Sequence, residues 1–338
     1  MSNKILVTGG AGYIGSHAAV ELIQDGYEPV ILDNLSAGNR KLVEGIERIT
    51  AKPVLFYEGD CRDRNLLYRL FEKEKPGAVM HFAALKSVGE SVQKPLAYYH
   101  NNLDSLMALL EVMQRFEVSN IIFSSSCTVY GQPDSIPVTE DTPFKKAESP
   151  YGATKQMCER ILEDVSANGL RVLSLRYFNP IGAHPSAHIG EWPSGVPGNL
   201  VPFITQAAAG IRKELVVFGN DYQTPDGTCI RDYIHVVDVA RAHVHALHYL
   251  QQQKSSALFE VFNLGIGRGV SVLEMIRLFE QVTGVSLRWR KGPRRPGDVE
   301  KIYADPSRAM HALAWKPQFS IQQALLHAWQ WQQKLQDG

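Results

Sequence analysis

The chain is poor in cysteine: four in 338 residues, Cys61, Cys127, Cys158 and Cys229, far apart and with no Cys-x-x-Cys pair. That spacing gives no disulfide framework and fits reduced thiols in a cytoplasmic protein. No run of 18 apolar residues occurs, so no spanning helix is expected. The amino terminus, Met-Ser-Asn-Lys-Ile-Leu-Val-Thr, lacks the apolar region of a signal peptide and already reads as a β-strand. There is no excess of either charge: Lys+Arg and Asp+Glu both count 35. The balance excludes a global polyanion-binding surface, though not a local basic pocket. No internal repeat or long low-complexity segment is present. Hydrophobic residues make up 44% and charged residues 21%, ordinary globular proportions. At about 150 residues per domain the length predicts two domains, and it suffices to bury a core without disulfides or metal staples.

The first half alternates short β-branched runs with helical stretches. Strands are expected at Ile5–Thr8, Pro29–Asp33, Val54–Glu58, Ala78–Phe82, Asn120–Ser125 and Arg171–Arg176, with helices such as Gly12–Gln24 and Ala97–Phe116 between them. That alternation calls for a parallel, doubly wound sheet with right-handed crossovers. After Tyr177 the character changes, and residues 179–235 hold many Gly, Pro and Asn with few clean periods. A helix at Asp238–Leu250 and a strand at Phe259–Leu264 resemble the first half again, and Gln251-Gln-Gln-Lys-Ser-Ser reads as a polar surface loop. We expect a nucleotide-binding domain over residues 1–180, with a later contribution from about 237–264. A smaller, partly interleaved domain over 181–338 completes the chain.

Directly after the first strand comes Thr8-Gly9-Gly10-Ala11-Gly12-Tyr13-Ile14-Gly15, opening a helix. Glycines at 9, 12 and 15 permit a tight turn and let the backbone approach a pyrophosphate, which the helix amino terminus then receives. Asp33 ends the second strand, where an acid can accept hydrogen bonds from an adenosine ribose and would repel a 2′-phosphate. This favours NAD over NADP; Arg40 is the residue able to soften the preference, and a turn or capping Asp33 is the plain alternative. Asp60, after the third strand, is a candidate adenine contact.

Ser149-Pro150-Tyr151-Gly152-Ala153-Thr154-Lys155 looks like a helix start, with Ser149 as cap and Pro150 at the first helical position. Tyr151 and Lys155 are then four apart on one face. A tyrosine is too weak a base at neutral pH, with a reference pKa of about 10. A nearby lysine cation and a positively charged nicotinamide are expected to lower it. Phe123-Ser124-Ser125-Ser126-Cys127-Thr128-Val129-Tyr130-Gly131 leaves a buried strand at its carboxyl end, where ligands of doubly wound sheets bind. A hydroxyl there can reach a sugar or alkoxide oxygen, although three serines in a row can also be a polar strand exit. Tyr-x-x-x-Lys alone is usually just a helix face; the two halves in order after a nucleotide fingerprint carry the functional reading.

These motifs, with Arg176-Tyr-Phe-Asn-Pro, resemble the extended short-chain dehydrogenases/reductases. His81-Phe-Ala-Ala-Leu-Lys-Ser-Val-Gly-Glu-Ser, Gly219-Asn-Asp-Tyr and Arg231-Asp-Tyr-Ile-His-Val narrow the likeness to the UDP-glucose 4-epimerases, nearly end to end. The resemblance implies a Rossmann-type doubly wound parallel sheet with a smaller mixed α/β substrate-binding domain. It implies an isomerase acting on UDP-galactose and UDP-glucose through a 4-keto sugar, with NAD retained as a prosthetic group. Tyr151 would be the base, Ser126 its hydrogen-bonding partner, and Lys155 the residue holding the nicotinamide ribose.

By the same likeness, Gly9, Gly12, Tyr13, Ile14 and Gly15 would cradle NAD, and Asp33, Asn34, Asp60 and Cys61 would contact it. Phe82, Ala83, Lys86, Asn101 and Phe178 would complete the cofactor site. Asn179, Asn199, Leu200, Val216 and Phe218 would bind the UDP-hexose together with Arg231, Arg295 and Asp298, and arginine forks suit a pyrophosphate. The basic loop Lys291–Asp298 carries little weight without that likeness. Ile302 would bound the sugar pocket; it is smaller than the tyrosine of relatives restricted to glucose and galactose, so some acceptance of UDP-N-acetylglucosamine is expected.

A homodimer is also implied, through apolar faces bearing Leu103, Leu106 and Leu110 and Met157, Ile161 and Leu162, although core packing would explain the same residues. No metal is expected. His243, His245 and His248 share a helix and His184 and His188 a loop, without a carboxylate or thiol set at ligand spacing. Cys127 is expected to be a small packed residue. A nucleotide-sugar 4,6-dehydratase would carry an acidic pair after the catalytic Ser/Thr, which Ser126-Cys127-Thr128 lacks. A UDP-uronate epimerase or decarboxylase stays open, and a non-catalytic NAD-binding sensor would often lack the tyrosine or lysine present here.

Overall fold

The computed structural model describes residues 2–193, 195–252, 255–295 and 298–337. Residues 194, 253–254 and 296–297, which belong to loops singled out above, lie outside the described residues. Strands are β1 Lys4–Thr8, β2 Glu28–Asp33, β3 Leu55–Glu58, β4 Ala78–His81, β5 Asn120–Ser126, β6 Arg171–Tyr177, β7 Asn179–Ile181, β8 Leu215–Phe218, β9 Ile230–His235, β10 Phe259–Leu264, β11 Gly269–Ser271, β12 Trp289–Gly292 and β13 Lys301–Ile302. Helices are α1 Tyr13–Gln24, α2 Arg40–Thr50, α3 Arg64–Glu74, α4 Val88–Gln93, α5 Pro95–Arg115, α6 Pro150–Ser166, α7 Leu200–Ala208, α8 Val236–Gln251, α9 Val272–Thr283, α10 Ser307–Ala312 and α11 Ile321–Asp337.

Among the described residues, β10-β6-β5-β4-β1-β2-β3 form one seven-stranded sheet in which every neighbouring pair is parallel. Its strands are apolar on both faces because helices cover both. Ile5 and Val7 point toward a core shared with α1 and α8, while Leu6 points toward one shared with α3, α5 and α6. Burying each such side chain contributes about 1.5–3 kcal/mol. Between β1 and β4 the strand order reverses, and a crevice opens at the carboxyl ends of these strands, as doubly wound topology requires.

The expected strands differ from the observed ones by a residue at their ends; Phe82, for one, lies just beyond β4. Phe259–Leu264 is the added edge strand, paired with β6 over its whole length. Helix α5 starts at Pro95, two residues before the expected Ala97, because proline suits a first helical position even with Lys94 as a cap that makes no side-chain hydrogen bond.

The poorly periodic stretch after Tyr177 resolves into short strands. β9 is paired with β7 and β13 in parallel and with β11 in antiparallel fashion, and β8 is paired with β12. Helices α7, α9 and α11 pack with β8 and β9 around a separate apolar core that includes Ile204, Met275, Phe279 and Leu325. Asp232, fully buried on β9, accepts hydrogen bonds from the backbone N–H groups of Ile266, Gly267 and Ala304. No helix among the described residues is long and apolar enough to cross a membrane.

Candidate active site

The crevice at the strand ends is about 550 Å³, running from Asp33 and Asp60 at one end to Tyr151 and Lys155 at the other. That size suits a small-molecule ligand. At its floor Gly9 has a φ of +72° and lies against the backbone of Phe82 and Ala83, so that a Cβ would sit 2.7 Å from the Ala83 nitrogen. A Cβ on Gly15 would overlap the carbonyl oxygen of Gly9. Gly12 differs: a Cβ there would meet only the Gly9 oxygen, at 3.1 Å, and would otherwise project into the crevice. Gly12 also caps α1, with no side-chain hydrogen bond to the first-turn N–H groups. Free donors and a cradle that a side chain would fill are what a dinucleotide pyrophosphate requires, so the residues present fit one.

Asp33 accepts from the Ala11 and Leu35 N–H groups at 3.0 and 2.9 Å, and its burial raises its pKa against those bonds. Arg40 is turned toward β3, 3.8 Å from Glu58 and over the Phe56 ring, rather than toward Asp33. Asp60 is held by both Arg62 and Asn34; the Arg62 hydrogen bond pulls its pKa down to about 2. Cys61 is buried, and burial pushes its thiol up to about 12. The Tyr13 hydroxyl donates to the Gly182 carbonyl, and Ile14, Phe82, Ala83 and Asn101 line the crevice. Lys86, also on the lining, is paired at 3.0 Å with Glu191, whose carboxylate takes a second bond from Asn199.

At the other end α6 begins as its sequence predicts: the Ser149 hydroxyl accepts from the Gly152 N–H at 3.1 Å, and Pro150 follows at the first position. Asn102 on α5 bonds the Leu85 backbone and the Thr154 hydroxyl, which in turn donates to the Tyr151 carbonyl at 2.7 Å. The helix start is thereby tied to the loop after β4. Lys155 is buried; its ammonium donates to the Ser124 carbonyl and lies 4.6 Å from the centre of the Phe123 ring. Burial pushes Lys155 down to about 8, with Cys158 and Glu159 acting against it.

The expected lowering of the Tyr151 pKa is not produced by these protein groups. Burial raises the phenol well above its ordinary value, with Ser126 pulling the other way. The reason is geometric: Lys155 directs its charge at the β5 carbonyl and stands 6.0 Å from the Tyr151 ring centre.

The residues expected around the substrate form a second group. The Arg295 guanidinium bonds Asp298 at 2.9 Å and the Gly198 carbonyl at 3.3 Å, and lies over the Phe218 ring. Arg231 stands 3.7 Å from the same Asp298 carboxylate. Val216 and Phe218 are on β8, Leu200 opens α7 directly after Asn199, and Asn199 itself reaches the crevice. The Asn179 side-chain oxygen is buried without a hydrogen-bond partner among the described residues, as suits an acceptor reserved for a ligand. Phe178 and Ile302 pack with Cys127 in a small apolar cluster.

Several expectations need amending. Leu106 and Leu162 are fully buried between α5, α6 and the sheet, so they offer no outward face; Leu96, Met107 and Met157 are large apolar side chains that these helices expose. His243 is buried, its Nδ1 within 2.8 Å of the Val239 carbonyl and its Nε2 within 2.6 Å of the Tyr177 hydroxyl. Among the described residues no group of His, Cys, Asp or Glu has metal-binding geometry. The sequence reading gave no role to Glu159 or to the Arg176 side chain; the clue was Glu159 continuing the spacing of four from Tyr151 and Lys155.

Comparison with known proteins agrees with this geometry. The family model described as GDP-mannose 4,6 dehydratase matches residues 6–327. The UDP-glucose 4-epimerase of Bacillus subtilis (strain 168) is 49% identical over 336 residues, covering 99% of this chain and 98% of the relative. A crystal structure of the Stenotrophomonas maltophila UDP-glucose-4-epimerase with bound NAD and formylated UDP-arabinopyranose superposes with a TM-score of 0.95 at 48% identity, covering 99% of both chains. The Bifidobacterium longum UDP-glucose 4-epimerase in complex with NAD+ and UDP gives a TM-score of 0.95 at 45% identity, again covering 99% of each.

Proposed function

From the premise that this chain belongs to the UDP-glucose 4-epimerases, within the extended short-chain dehydrogenase/reductase family, we propose that Tyr151, Ser126 and Lys155 carry the reversible C4 epimerisation of UDP-galactose and UDP-glucose. The observation behind this reading is the meeting of α6, bearing Tyr151 and Lys155, with Ser124 and Ser125, directly before Ser126 at the end of β5, in the crevice that also holds the glycine cradle. NAD, held along the glycine turn, would supply a reversible hydride acceptor for the sugar C4.

The protein's own groups manage the proton. The Tyr151 phenol takes it from the 4-hydroxyl and gives it back, with Ser126 bonded to the oxygen that changes charge. A buried phenol ionises reluctantly, so Tyr151 depends on positive charge brought close to it. Because both the proton and the hydride return, the net reaction is an isomerisation. The glycine turn, Asp33, Asn34, Asp60, Cys61, Lys86 and Asn101 are assigned to the cofactor. Asn179, Asn199, Arg231, Arg295 and Asp298 are assigned to the UDP moiety, where the arginines offset diphosphate charge.

Ile302 supports a further reading, partial acceptance of UDP-N-acetylglucosamine, since the side chain at the expected sugar wall is shorter than a tyrosine. We assign the chain to the cytoplasm, consistent with its four free, buried cysteines. We read it as a homodimer, an assignment supported by the exposed Met107 and Met157 on α5 and α6. Residues 1–180 with about 237–264 make up the cofactor unit in this reading.

The decisive test supplies purified protein with UDP-galactose and no added NAD, and separates the nucleotide-sugar products. UDP-glucose at equilibrium is expected; its absence even after NAD is added would overturn the assignment. In the same assay Tyr151→Phe is expected to lose about 100- to 10,000-fold in kcat, and full activity would refute the role of the phenol.

A further inference from the structure

Tyr151, Lys155 and Glu159 recur every fourth residue on α6, which places them in one stripe along the helix face turned to the sheet. Glu159 and Lys155 are both buried, each 3% exposed. The Glu159 carboxylate accepts from the Ser125 hydroxyl on β5 at 2.5 Å and from the Ser174 hydroxyl on β6 at 2.9 Å. Arg176, also on β6, closes a two-pronged pair with it, Nε to Oε1 at 3.0 Å and Nη2 to Oε2 at 2.6 Å. The remaining Arg176 nitrogen donates to the Tyr130 hydroxyl at 2.9 Å and the Glu140 carbonyl at 3.2 Å. Both ions are therefore buried with their hydrogen-bonding capacity used, the condition under which an internal pair is tolerated.

We propose that the Glu159–Arg176 pair is a positioning element for the reaction: it sets the catalytic stripe of α6 against the Ser124–Ser126 end of β5 and keeps Lys155 charged. The first part follows from connectivity. Ser125 precedes Ser126, and Arg176 pairs in register with Ser125, so the carboxylate is bonded directly to β5, the strand that carries Ser126, and to its neighbour β6. A helix pinned two turns behind Tyr151 cannot slide or roll without breaking these bonds. Misplacement of a catalytic group by about 1 Å is enough to cost about 100-fold in rate.

The second part follows from charge. Lys155 is faced by Tyr151, Cys158 and Glu159 on its own helix, by His81 from β4, and by the Phe123 ring and the Ser124 carbonyl and hydroxyl from β5. Glu159 is the carboxylate of that set, and it favours the ammonium against the cost of burial. Removing its charge would also leave the Arg176 cation unpaired, and both changes favour neutral Lys155.

The proposal rests on the Tyr151–Lys155 assignment and is tested beside Tyr151→Phe, so the two fail separately. Glu159→Gln, checked first for bound NAD, is expected to lower kcat with UDP-galactose by about 10- to 100-fold while KM changes little. The alkaline limb of its kcat–pH profile is expected about one unit or more lower. Glu159→Asp, which keeps the charge on a shorter arm, is expected to lose kcat but hold the alkaline limb at its original position. It also serves if the glutamine variant does not fold. Parental kcat in either variant overturns the proposal. So does a lowered kcat in Glu159→Gln with the alkaline limb unmoved, because that is all a merely structural role would give. If Tyr151→Phe itself stays active, the assignment beneath the proposal falls instead.

Discussion

Replacing His243 by glutamine is expected to make the protein less sensitive to acid. His243 is fully buried on α8, with Nδ1 donating to the Val239 carbonyl and Nε2 therefore left to accept from Tyr177. The ring lies 4.7 Å from Phe82, and burial lowers its pKa to about 4. In the unfolded chain it would titrate near 6.5. A folded-state pKa below the unfolded one means that the stability associated with neutral His243 is intact above about pH 6.5. It is lost as pH falls through the window from there toward 4, where only the unfolded chain takes up the proton.

Between pH 7 and pH 5 that single proton lowers the folding free energy by about 2 kcal/mol, from 1.36 kcal/mol per pH unit over the part of the window crossed. His243→Gln also loses hydrogen bonding and packing, but by nearly the same amount at both pH values. The assay is urea denaturation of parent and variant at pH 7 and pH 5, comparing the drop in unfolding free energy within each protein. The drop in the variant is expected to be smaller by about 2 kcal/mol. Equal drops in the two proteins would refute the reasoning.

Gly15→Ala pushes a methyl group onto the Gly9 carbonyl. It is expected to cost about 1–3 kcal/mol of stability and to leave the purified protein short of NAD; full cofactor content at an unchanged melting temperature would contradict this. Ile302→Tyr, assayed in parallel on two substrates, is expected to cut turnover of UDP-N-acetylglucosamine about tenfold or more and to spare UDP-galactose. Equal or better activity on the N-acetyl sugar would count against the pocket assignment.

What could be read from the sequence followed signals local in the chain. The strand, glycine turn and helix over 4–24 carry a period change and turn residues within twenty positions, and the Ser149 cap with Pro150 marks the start of α6 directly. Phe259–Leu264 was legible as a strand because it is an apolar, β-rich run. Its place beside β6 depends on contacts some ninety residues distant in sequence, and no period encodes that.

The short strands after Tyr177 left weak signals for the same reason. β7, β11 and β13 are two or three residues long and exist by pairing with β9. The meeting of Arg231, Arg295 and Asp298 was legible through family likeness alone, since a basic loop without a fold is merely a solvated loop. The Glu159–Arg176 pair was invisible because an acid on a helix and a base on a strand, 17 residues apart, look like ordinary surface charges until both prove to be buried. The spacing of four between Tyr151 and Lys155 was legible, but it says nothing of where the ammonium points, which is toward the Ser124 carbonyl.

The position of β10 bears on how the chain reaches this structure. The strand that carries Arg176 and Tyr177 borders β5 on one side and β10 on the other. During synthesis, β6 therefore waits for residue 264 to emerge before its outer edge is covered, with a bare row of backbone donors and acceptors in the interval. A fragment cut near residue 180 would keep the glycine turn, the tyrosine and the lysine, yet present that edge permanently to other chains. Residues 1–180 are thus not a severable module: in the ribosome's exit path they wait for the segment that lies beyond them.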